Sequence, residues 1–115
     1  MYYTEEQYKA ICEYVENHRQ ELVDTVIRLV NKKSVKGTPE PGKPFGADCA
    51  AALAEGMKIC EENGMSAVNR ENYVAEASWG QGDKEIGFIA HLDVVPAGDG
   101  WQSDPFSGME RDGFI

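Results

Sequence analysis

The chain has 115 residues, 42% of them apolar and 27% charged, which fits a single soluble domain and excludes a disordered or membrane-spanning class. Acidic residues outnumber basic ones by 20 to 11, and the resulting net charge of -9 repels phosphate backbones, so nucleic-acid partners are excluded. At this size a compact fold buries roughly two thirds of the unfolded chain's surface around one core.

Thr4 followed by Gln7 has the spacing of a capping box and predicts a helix to about Asn17, with Tyr8, Ile11, Cys12 and Val15 on the core-facing stripe. A second helix, from near Arg19 to Asn31, carries the wider stripe Leu22, Val23, Val26, Ile27, Leu29 and Val30 and is expected to be the more buried. His18, between the two, reads as a surface or capping residue. From Ser34 to Gly46 three prolines and three glycines rule out regular structure. Asp48 to Asn63 reads as a third helix, alanine-rich, with Ala50, Leu53, Ala54 and Met57 on one face and Gly64 as a left-handed cap.

Ser66 to Arg70 and Tyr73 to Trp79 predict an antiparallel hairpin around Glu71-Asn72. After the turn Gly80-Gln81-Gly82-Asp83, the continuous apolar run Ile86-Gly87-Phe88-Ile89-Ala90 predicts a strand buried on both faces. The expectation is therefore an α/β fold of three helices, a β-hairpin and a buried strand. Cys12, Cys49 and Cys60 form no C-x-x-C pair and are expected to be reduced, with Cys49 and Cys60 sharing a buried helix face. No positively charged leader or long apolar run is present in the sequence, so the expected compartment is cytoplasmic.

His91 directly follows the apolar run and Asp93 lies two residues on, so on an extended chain both side chains leave the same face at the carboxyl end of a strand, where α/β sheets place ligand sites. A neutral imidazole suits zinc, and a carboxylate on its other ring nitrogen fixes the tautomer. Spacing alone fits a polar pair at a sheet margin equally well. Gly98, Asp99 and Gly100 read as a turn, and Trp101 and Phe106 as loop anchors on the core.

The string His91-Leu92-Asp93-Val94-Val95-Pro96-Ala97-Gly98-Asp99-Gly100-Trp101, followed by Asp104-Pro105-Phe106, resembles the first metal-binding motif of the PepV-like dipeptidases. Those belong to the metallopeptidase family that also holds carnosinases, aminoacylases, carboxypeptidase G and the desuccinylases. Pro44-Phe45-Gly46 leading into the alanine-rich helix is similar to the region ahead of that motif. The resemblance implies that residues 1–115 form the amino-terminal part of a zinc-peptidase catalytic domain. It implies too that His91 ligates one of two zinc ions, and that Asp93, a catalytic-site residue, orients the imidazole. The family's bridging aspartate, paired glutamates, further carboxylate and final histidine have no counterparts in these 115 residues. The expectation is a dipeptidase hydrolysing dipeptides by a two-metal activated water, with this chain inactive and weakly metal-binding by itself. An N-acyl-amino-acid deacylase or desuccinylase of the same family is the alternative, as is a non-catalytic module that self-associates through unpaired strand edges.

Overall fold

The computed structural model describes residues 2–115 and contains three helices and one two-stranded sheet in the order α1 (Glu5–Asn17), α2 (Arg19–Val30), α3 (Ala47–Glu62), β1 (Ser66–Arg70) and β2 (Val74–Ser78). This is the mixed α/β composition expected from the sequence. Thr4 caps α1 through the reciprocal pair of the capping box: its hydroxyl accepts from the Gln7 amide at 3.2 Å, and Gln7 accepts from the Thr4 amide at 2.8 Å. At the other end His18 stacks on Tyr14 with ring centroids 3.9 Å apart, and its Nδ1 lies 2.7 Å from the Tyr14 carbonyl, so the histidine closes one helix where the next begins.

The end of α3 is a Schellman cap. Gly64, at φ 77°, sends its N–H to the Glu61 carbonyl, and Met65 sends its own to Cys60, which satisfies two carbonyls the last turn would otherwise leave free. The hairpin pairs Ser66 with Ser78 through to Arg70 with Val74. Its turn places both Glu71 and Asn72 at positive φ, a conformation asparagine tolerates through local bonds, here to Asn69. The Asn72 amide also donates to the Gly42 carbonyl at 2.8 Å, and Phe45 meets Tyr73 edge-on at 5.5 Å, fastening the loop before α3 to the hairpin.

Helices α2 and α3 are joined by ion pairs. Arg28 reaches Glu55 at 2.7 Å and Glu62 at 2.6 Å, and Lys32 reaches the second Glu55 oxygen at 3.4 Å. Hydrogen bonds from Arg28 are the leading cause holding both carboxyls below the usual glutamate range. Because the folded-state values are the depressed ones, the contribution is complete above the ordinary glutamate pKa and fades as pH falls through the folded values. Glu55→Gln is therefore expected to weaken α2–α3 docking at neutral pH, and its difference from the parent to narrow only at a pH well below the ordinary glutamate value, where the depressed folded carboxyl itself takes up its proton. Far-UV circular dichroism during urea unfolding at the two pH values checks this.

The interior is smaller than the sequence suggests. Val23 on α2 and Ala52 on α3 are the buried apolar residues, and the α1 stripe of Tyr8, Ile11 and Val15 stays exposed. Ala52 lies beside, not on, the predicted α3 stripe. A compact chain of this mass would expose about 6,200 Å² and have a radius of gyration of about 13 Å. This one exposes 9761 Å² with a radius of gyration of 17.2 Å.

Part of the excess lies in the segment expected to be a buried strand. Residues 86–90 form no strand, and Ile86, Phe88 and Ile89 are 82%, 93% and 102% exposed. The physical reason is the missing neighbour: a strand exists only by pairing, and the described sheet is the hairpin alone. Among the described residues no helix is long and apolar enough to cross a membrane.

Candidate functional site

His91 and Asp93 sit where three pieces of chain converge. The segment leaving α2 at Ser34–Val35 runs parallel to Leu92–Val94, with a bridge between Val35 and Val94. The Val94 amide donates to the Ser34 carbonyl at 3.1 Å, and the Ser34 hydroxyl donates to the Leu92 carbonyl at 2.6 Å. From α3, the Cys49 thiol donates to the same Ser34 carbonyl at 3.4 Å. Burial, then the Asp93 charge, pushes that thiol's pKa up, so Cys49 acts here as a neutral packing and hydrogen-bonding group.

Leu92 packs on α3 at Gly56. A Cβ at Gly56 would lie 2.8 Å from Leu92 Cδ1, so the glycine makes room for that side chain. Gly56→Ala combines a helix-propensity gain of about 1 kcal/mol with displacement of a flexible side-chain end, two effects of opposite sign. The expected result is a melting temperature close to the parent's together with a clear shift of the Leu92 methyl resonances. Unmoved methyls would show that Leu92 does not rest on Gly56.

The two side chains project together into solvent, His91 81% and Asp93 67% exposed. Nδ1 of His91 lies 2.9 Å from the Asp93 backbone carbonyl and 3.5 Å from its carboxylate Oδ1. The nearer partner is thus the main chain, where the sequence suggested the carboxylate. A carbonyl can only accept, so Nδ1 carries the proton and Nε2 holds the lone pair. No hydrogen-bond partner meets Nε2 among the described residues.

An imidazole held at Nδ1 and open at Nε2 is the arrangement of one metal ligand. It is one donor, however, and among the described residues no group of three or more His, Cys, Asp or Glu side chains comes together to hold an ion. A zinc centre takes three or four protein ligands, so this set fits one corner of such a centre and not a whole one.

The stretch after the site is a chain of turns. Gly98 and Gly100 have φ of 69° and 92°, and Trp101, expected on the core, instead lies exposed and closes the loop by donating from Nε1 to the Ala97 carbonyl at 2.8 Å. Phe106 is half-buried with Lys33 Nζ 5.8 Å from its ring centroid. The chain then returns along α2, where the Gly108 amide donates to Asn31 Oδ1 at 2.8 Å and Arg19 pairs with Glu110. Sequence reasoning missed Ser34, Gly56 and the Asp93 carbonyl. A serine after a helix and a glycine within one carry no pattern tying them to Leu92, 58 positions from Ser34 and well beyond the helix that holds Gly56.

No family model matches the chain. It is 42% identical over 86 residues to the "Putative dipeptidase YtjP" of Bacillus subtilis, a match covering 75% of this chain and 19% of that protein. It is 41% identical over 69 residues to the Beta-Ala-Xaa dipeptidase of Lactobacillus delbrueckii, covering 60% of this chain and 14% of that one. A protein of Staphylococcus haemolyticus named as a dipeptidase is 31% identical over 105 residues, 90% of this chain, and so takes in the His91–Asp93 stretch. These relatives support a dipeptidase family. The chain spans less than a quarter of the length of each of the three.

Proposed function

We propose that these residues supply the first metal-ligating segment of a PepV-like zinc dipeptidase catalytic domain, inactive by themselves. The observation that carries the reading is the His91 imidazole, tied at Nδ1 to Asp93 and open at Nε2, in a chain whose relatives are named dipeptidases. A zinc pair would supply Lewis-acid polarisation of the peptide carbonyl and a water acidic enough to attack it. The part of this chain is narrower: Asp93 holds the ring and its tautomer, His91 offers one nitrogen, and Ser34 and Leu92 seat the segment. Substrates are dipeptides on this reading, the compartment is the cytoplasm, and the remaining ligands come from sequence that these 115 residues do not contain.

The test is a chimera in which residues 1–115 replace the matched stretch of the Staphylococcus haemolyticus relative, with that relative assayed alongside. Two zinc ions per chain and hydrolysis of unblocked dipeptides are expected. Cleavage of N-acyl amino acids alone would move the assignment to the deacylase branch, and full zinc loading after His91→Ala would remove His91 from the ligand set.

A second reading is favoured by the exposure of Ile86, Phe88 and Ile89: the 115-residue chain self-associates. Apolar side chains on an unpaired segment gain both burial and main-chain hydrogen bonds by pairing with another copy. Light scattering at increasing concentration is expected to show dimers or larger species, and a monomer throughout would dismiss this reading.

A further inference from the structure

Ser34 is the buried polar side chain among the described residues, 3% exposed; its N–H donates to the Lys32 carbonyl, and its hydroxyl and its carbonyl both bond the segment that carries His91 and Asp93. Its hydroxyl holds the carbonyl of Leu92, and its carbonyl holds the amide of Val94. These are the peptides on either side of Asp93. The second hold has a consequence for the imidazole, because a trans peptide points its N–H and C=O in opposite directions. With the Val94 N–H turned toward Ser34, the carbonyl of the same peptide, that of Asp93, is turned away, and it lies 2.9 Å from His91 Nδ1.

We infer that Ser34 is a positioning residue for His91: through the Asp93–Val94 peptide it aims the carbonyl that keeps the proton on Nδ1 and the lone pair on Nε2. Cys49 supports the arrangement from α3 by donating to the same Ser34 carbonyl. The inference deepens the ligand reading of His91 and rests on it for its functional meaning, whereas the geometry it describes needs no metal.

The test is nuclear magnetic resonance on the isotopically labelled 115-residue chain without metal. In the parent, a through-hydrogen-bond coupling between the Ser34 carbonyl carbon and the Val94 amide nitrogen is expected, with His91 ring nitrogens reporting the Nδ1–H tautomer. Ser34→Ala removes the Leu92 hold and leaves that carbonyl wanting a donor. The Val94 amide is expected to exchange about tenfold faster, with the Nδ1–H population reduced and the α3 amides unchanged. Ser34→Thr keeps the hydroxyl and is expected to restore the tautomer, which a merely space-filling role would not require.

Absence of the coupling in the parent overturns the inference without any variant. So does a Ser34→Ala protein whose Val94 exchange and His91 tautomer match the parent. Failure of the chimera to load zinc through His91 would defeat the ligand reading alone, so the two failures are distinguishable.

Discussion

His91→Ala in the chimera described above is expected to lower dipeptide hydrolysis to background and to reduce bound zinc, whereas Asp93→Ala is expected to cost between about tenfold and a hundredfold. The difference follows from which atoms touch. Alanine at 91 deletes the one nitrogen that faces outward. Alanine at 93 deletes a carboxylate 3.5 Å from Nδ1 that adds to the ring's hold and basicity, but leaves the backbone carbonyl at 2.9 Å to keep the ring turned in part, so the loss is smaller. Hydrolysis rates and metal content measured on the same preparations check both halves. Equal loss in the two variants would mean that the carboxylate does more than hold the ring, for example by ligating directly. In the isolated chain, where among the described residues no group of three or more His, Cys, Asp or Glu side chains comes together, a chelator is expected to leave the far-UV circular dichroism spectrum unaltered.

The helices were legible because their signals are local. A capping box, a glycine placed to turn left-handed and an apolar stripe each act within a few residues, and Thr4, Gly64 and the hairpin asparagines behave as such residues do. The fate of the stripes was not legible, because burial depends on what lies opposite. Tyr8, Ile11 and Val15 have helical spacing and still face water, and Ile86 to Ala90 have the composition of an inner strand with no strand beside them. The pairing of His91 with Asp93 was legible from a spacing of two. The atom that makes it was not, since whether a side-chain oxygen or a main-chain oxygen sits nearer depends on how the peptide after Asp93 is turned. The N–H of that peptide, on Val94, is held by the carbonyl of Ser34, far from it in the sequence.

Gly46→Ala is expected to be the most damaging small substitution in the loop before α3, costing about 2–4 kcal/mol, a range reached when backbone strain and a steric clash act together. Gly46 sits at φ 90°, where an L side chain is strained whatever the surrounding space, and it is buried. The space is absent as well: a Cβ there would lie 2.9 Å from the Gly37 Cα and 3.2 Å from the Gly37 nitrogen and carbonyl carbon, atoms that cannot rotate aside. Gly37 is held in place by its own bond to the Phe45 carbonyl at 2.9 Å. Gly37→Ala is the control, since a Cβ at that residue meets its nearest neighbour at an ordinary 3.7 Å and should shift stability little. Urea unfolding of the two variants checks the contrast, and equal midpoints would show that the two strands of this loop are not so closely apposed. The damage reaches the site by a short route. Gly46 starts α3, whose first turn carries Cys49, and the Cys49 thiol bonds the Ser34 carbonyl that also holds Val94. A displaced helix start therefore loosens the peptide that aims the His91 ring, so Gly46→Ala should also speed exchange of the Val94 amide, which Gly37→Ala should leave as it is.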